Sequence, residues 1–147
     1  MSRNRTSRRG KEEGSAAVEA AIVLPVLLLF VIGSVEFGRA LWMYHTMLLA
    51  VEEAGRYAMV YGESPNLLTA ASCPNVATVT LANCAVARAN AYLADYGGNG
   101  ITVSWSEDSS TPPNMTISAS YTFNFVTPIL QSYGPINLSS QVTVPTI

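Results

Sequence analysis

Residues 14–58 read GSAAVEAAIVLPVLLLFVIGSVEFGRALWMYHTMLLAVEEAGRYA, and this run decides how the rest of the chain is arranged. Between residues 20 and 35 there is no ionisable side chain, and counting back to residue 16 gives twenty residues with Glu19 as the only one. Twenty helical residues at 1.5 Å rise cover about the ~30 Å hydrocarbon layer of a bilayer, so a single membrane-spanning helix is expected over about residues 16–35. Pro25 and Gly33 are tolerable in such a helix, with a bend expected near Pro25. Past the span the helical period continues: Phe37, Leu41, Tyr44, Leu48, Val51, Gly55 and Ala58 recur at steps of three or four. Glu36 with Arg39, and Glu52 with Arg56, are spaced to pair on its surface. One helix over residues 17–61 would be roughly 65 Å long, with about half projecting from the membrane.

Around this run the charge is uneven. Hydrophobic residues make up 49% of the 147-residue chain and charged residues 12%, about half the charged share of a soluble domain, which argues for an anchor plus one modest domain rather than a disordered chain. Residues 1–14 carry five of the eight basic side chains, Arg3, Arg5, Arg8, Arg9 and Lys11, beside Glu12 and Glu13. In the remainder three basic residues stand against eight acids, a balance of −5. Basic residues collect on the cytoplasmic flank of a span, so the N-terminus is expected in the cytoplasm and the C-terminal part outside it. Nucleic-acid binding by the tail is not expected, because no basic face follows it. A secretory signal peptide shares the layout of a basic region before an apolar core, but no A-x-A-like site closes this run. Arg8 and Arg9 fit a twin-arginine signal poorly, since hydrophilic residues follow them.

On the exported side lie the only two cysteines, Cys73 and Cys84. In an oxidising compartment such a pair is expected to form a structural disulfide, with unbridged thiols as the alternative. A metal site is not expected, since two thiols and the distant His45 do not make a four-ligand zinc set. The segment GESPNLLTAASCPN reads as the exit from the long helix. A second helix follows, most firmly over residues 83–96, ended by Gly97 and Gly98. The period then switches to two. Ile101, Val103 and Trp105 suggest one strand, Met115, Ile117, Ala119, Tyr121, Phe123 and Phe125 a longer one, and Ile136, Leu138, Val142 and Val144 a third. Glu107, Asp108, Ser109 and Ser110 read as a solvated turn without calcium-loop spacing. The expected fold is α+β: a long N-terminal transmembrane helix extending into a small head with a second helix and about three antiparallel strands. The organisation expected is a basic cytoplasmic leader over residues 1–14, the long helix over 15–61, and an exported head over 62–147.

The motifs GSAAVE, VLP, VEFGRALW and GRYA resemble the TadE-like family, pseudopilins of the tight-adherence (Tad) pilus system, over about residues 14–58. GSAAVE is similar to the cleavage motif of type IV prepilins, a glycine followed five positions later by glutamate. Two departures are visible: Ala20 follows Glu19 where the small pilins of this system have tyrosine, and EEAGRY replaces the more usual REGARY. The resemblance implies a bacterial inner-membrane protein with a periplasmic or extracellular head. It further implies that a prepilin peptidase cuts between Gly14 and Ser15, the missing side chain at Gly14 admitting the scissile bond. Ser15 would then carry a free amine, and Glu19 would sit about one helical turn from it. A charge at the bilayer centre costs ~2.5 to 3.5 kcal/mol and less near the interface, so a neighbouring subunit's amine would be its partner and would set register in a filament. The simpler reading of Glu19 is an interfacial acid favoured by the helix dipole.

Catalysis asks for a nucleophile with a base, or paired titratable groups in a pocket. The chain offers one histidine, His45, on the long helix, and no phosphate-binding or dinucleotide-binding loop. An enzyme and a resident cofactor are therefore not expected. The expected role is a minor pseudopilin or pilus-assembly subunit acting in pilus biogenesis and adhesion, its partners being the membrane, the peptidase, other pilins and Tad assembly components. The alternatives are an uncleaved bitopic scaffold or accessory protein, or a membrane-anchored adhesin.

Overall fold

The computed structural model describes residues 5–62, 68–69, 72–73, 76–111 and 113–145, with side chains from residue 14 onward. Its elements are α1 (Arg5–Gly62), α2 (Leu81–Asp95), β1 (Thr102–Glu107), β2 (Asn114–Phe123), α3 (Pro128–Gln131) and β3 (Ile136–Pro145). The three strands form one antiparallel sheet in the order β1, β2, β3. This is the α+β arrangement expected from the sequence, with α3 added. Most of the segment read as the exit from the long helix lies outside the described residues.

α1 begins at Arg5 rather than near Ala17, because arginine, lysine and glutamate before Gly14 are good helix formers. It runs through Pro25, whose missing N–H leaves the Ala21 carbonyl without its helical donor. Two compact units divide the chain, one ending at Gly38 and the other beginning at Arg39. In the first unit every large apolar side chain between residues 18 and 35 is exposed, on all sides of the helix. That surface suits lipid or protein, not water. The hydroxyl of Ser34 donates to the Phe30 carbonyl at 2.9 Å, so this polar group is satisfied within the helix.

The second unit has its own core. Met47, Ala50, Val51, Ala54 and Ala58 of α1 join Ala82, Ala85, Ala89 and Leu93 of α2 with Ile101, Met115, Ile117, Ala119 and Val144. The odd positions of β2 point into this core and pair with same-face residues of β3, Met115 with Val144 and Ile117 with Val142. The other face is a polar ladder: Thr116 bonds Thr143 at 2.9 Å, Thr102 bonds Ser120 at 2.8 Å and Thr122 donates to Asn137 at 3.2 Å. Trp105, whose alternation with polar residues suggested the first strand, lies in β1 and is 43% exposed, at an edge of the sheet. α1 comes so close to β3 that a Cβ on Gly55 would lie 2.9 Å from Val142 Cγ1.

α2 is closed at both ends by its own sequence. The Thr80 side chain accepts from the Asn83 N–H at 3.3 Å, satisfying one orphan donor of the first turn. At the C-terminus Gly97 takes φ +76°, and the Gly98 N–H bonds the Leu93 carbonyl at 2.7 Å. This is a Schellman closure, which needs a residue free of the left-handed penalty. Cys73 and Cys84 are joined, tying the chain before α2 to its first turn.

Candidate functional site

Gly14, Ser15 and Glu19 all lie on α1 and are exposed. A Cβ added at Gly14 would meet nothing within 4 Å. Packing within this chain therefore gives no reason for glycine at that position. Ser15 and Glu19 are four residues apart, so they share one face of α1 about 6 Å apart along its axis. The bond between Gly14 and Ser15 sits inside α1, where the flanking peptide groups are engaged in helical hydrogen bonding.

In the head, the disulfide stands at one end of a cluster of polar contacts between α1 and α2. The Arg88 guanidinium meets the Glu53 carboxylate at 3.1 Å, and the Tyr57 hydroxyl donates to the Ser72 carbonyl at 3.3 Å. Tyr57 stacks on Tyr61 with ring centroids 4.4 Å apart. A shallow cavity of about 440 Å³ is lined by Tyr57, Ser72, Cys73, Cys84, Arg88 and Asn90. Glu53 and Arg88 are 35 residues apart in sequence, so helical spacing gave no sign of this pair. His45 lies edge-on to Tyr44 at 6.2 Å. Among the described residues, no three histidine, cysteine, aspartate or glutamate side chains group to hold a metal.

The turn between β1 and β2 is ordered around Asp108. Its carboxylate accepts the Asn114 N–H at 2.9 Å, the Ser110 hydroxyl, the Asn114 amide at 2.9 Å and the Ser110 N–H at 3.0 Å. These donors, the Asn114 N–H foremost, hold the carboxyl well below the usual carboxylate range. The sequence reading of a solvated turn has the right place but misses this cage, whose only sign is Asp108 with serine two residues on. At the far end of β2 the Arg39 guanidinium sits over the Phe123 ring, 5.3 Å from its centroid. Phe123 is fully buried, whereas Phe125 lies beyond the strand and is half-buried.

Among the described residues one helix, Gly14–Gly62, is long and apolar enough to cross a membrane, which fits a single-pass anchor. No curated protein and no solved structure matches the chain. The family model described as TadE-like protein matches residues 14–56, a stretch that opens at Gly14, includes Glu19 and takes in the whole apolar segment, and over it the resemblance to this pilus-associated structural family is shown.

Proposed function

We propose that this protein is a minor pseudopilin or pilus-assembly subunit of a Tad-type system, structural rather than catalytic. It is anchored in the bacterial inner membrane with its head outside the cytoplasm. The observation that carries this reading is a TadE-like match opening at Gly14, on an apolar helix whose only ionisable residue between positions 16 and 35 is Glu19. A prepilin peptidase cuts after Gly14, and the first turns of α1 unwind to present the bond. Glycines at positions 10 and 14 make that unwinding easier, since each weakens a helix by roughly 1 kcal/mol relative to alanine. Removal of the leader takes five basic residues with it and leaves an acidic, anchored chain. Glu19 then accepts the Ser15 amine of a neighbouring subunit in a low-dielectric setting where charge pairing is strongest.

The continuous helix through Gly14 and Ser15 favours the second reading, an uncleaved bitopic scaffold. N-terminal sequencing of the protein from cells separates the two: the subunit begins at Ser15, the scaffold keeps its leader. Glu19→Ala is expected to be cleaved normally but to be lost from sheared filaments, with partial return in Glu19→Asp, which is one methylene shorter. A Glu19→Ala chain that copurifies with filaments like wild type would leave Glu19 as an interfacial acid only.

A further inference from the structure

The connection between β2 and β3 is built unlike the other connections of the head. Over residues 124–135 it carries α3, and three of its large apolar side chains face outward while Phe125 and Leu130 are half-buried: Val126 is 67%, Ile129 62% and Tyr133 80% exposed, with Ile136 just beyond at 45%. Residues 109–147 contain no charged side chain. The connection at the other end of the sheet is polar and closed by Asp108. Exposed apolar side chains without any charge mark a surface meant to be covered.

Two contacts fix which end of the head this loop occupies. Gly55 of α1 lies against Val142 and Val144, whereas Arg39, the first residue of this unit, lies over Phe123. α1 and β2 therefore run side by side. The end of the sheet at Phe123 and Ile136, from which the loop leaves, is the end at which the chain enters from its apolar segment. Leu41 and Trp42, within a turn of Arg39, are 44% and 63% exposed.

We propose that residues 124–135 form a second membrane contact, with Val126, Ile129 and Tyr133 seated at headgroup level in the bilayer that α1 crosses. The proposal rests on the reading of α1 as a span. Trp42 and Tyr133 are the residue types that collect at such an interface, apolar in body and polar at one tip. Several of the loop's polar groups are engaged within the loop itself. The N–H groups of Leu130 and Gln131 bond the Thr127 carbonyl at 3.0 and 3.1 Å, and those of Tyr133 and Gly134 bond Leu130 and Gln131 at 3.0 and 3.1 Å. The Ser132 hydroxyl and the Gln131 amide donate to the Ile129 and Val126 carbonyls at 3.1 and 3.3 Å. Each of these bonds lowers the penalty that the group it engages would meet on leaving water.

The test uses the full chain in phosphatidylcholine vesicles, with single added cysteines carrying a fluorophore at Ile129→Cys, Val126→Cys, Ser109→Cys or Leu28→Cys, the native pair being oxidised. Nitroxide lipids of different depth serve as quenchers. The labels at 129 and 126 should be quenched several-fold more than the label at 109, most by the nitroxide nearest the headgroup. Added salt should not change this, because no charge takes part. Quenching at 129 and 126 no stronger than at 109, with Leu28 quenched by deep nitroxides, overturns the loop contact and leaves the span intact. An unquenched Leu28 label overturns the span and the proposal with it. Labels at 129 and 126 shielded from aqueous iodide yet untouched by lipid nitroxides would mean a protein neighbour covers the loop, and the proposal fails.

Discussion

At Gly14 a side chain would enter open space, so a substitution there should leave the fold alone and act on processing. Gly14→Val is expected to accumulate as an anchored precursor of unchanged head stability, seen as a larger band by immunoblot. A processed Gly14→Val chain would mean that the peptidase does not close around that position. Asp108 makes the opposite kind of prediction, since its carboxylate works inside the fold. Its pKa is depressed in the folded state, so its contribution is present above the ordinary carboxylate pKa and is lost as pH falls through the lower folded value. The Asn114 amide resonance should hold its position from neutral pH to about pH 4 and shift only below that. In Asp108→Asn, the acid-induced shift should be absent at every pH.

At the scale of elements, the seat of α1 on the sheet depends on Gly55. Its closest neighbour would be Val142, a β-branched side chain with little rotamer freedom. Gly55→Leu should therefore cost about 1 to 3 kcal/mol through overpacking, measured as a lower melting temperature of the head, despite leucine's better helix propensity. The disulfide works on the other helix. Cys73 and Cys84 are 11 residues apart, a closure worth roughly 3 kcal/mol in the chain-entropy picture. The ion pair of Glu53 and Arg88 adds little beside it, because Arg88 is 58% exposed and exposed pairs contribute about 0 to 1 kcal/mol.

For the whole molecule, the apolar surface of the first unit and the self-contained core of the second fit a head carried on a membrane anchor. Five of the eight basic residues sit before the apolar segment and the remainder of the chain carries a balance of −5, so a reporter active only outside the cytoplasm, fused after Ile147, should be active. An active cytoplasmic reporter at the same position would reverse the orientation and with it the oxidising surroundings assumed for the head.

The sequence by itself determined α1, α2 and the three strands, because each announces itself locally: an uncharged run, a repeat of three and four, an alternation of two, and Gly97 with Gly98 as a stop. It also pointed to Gly14 and Glu19, whose spacing belongs to a contiguous motif. Only the tertiary structure decided what long-range pairing controls. The short α3 has too few residues to show a period. Trp105 alternates like a core residue but lies on an edge strand, and burial there is set by what packs over it. Glu53 finds Arg88, and Arg39 finds Phe123, across separations at which sequence spacing carries no signal; it is the second of these contacts that sets the uncharged loop of residues 124–135 at the end of the head where the apolar segment enters.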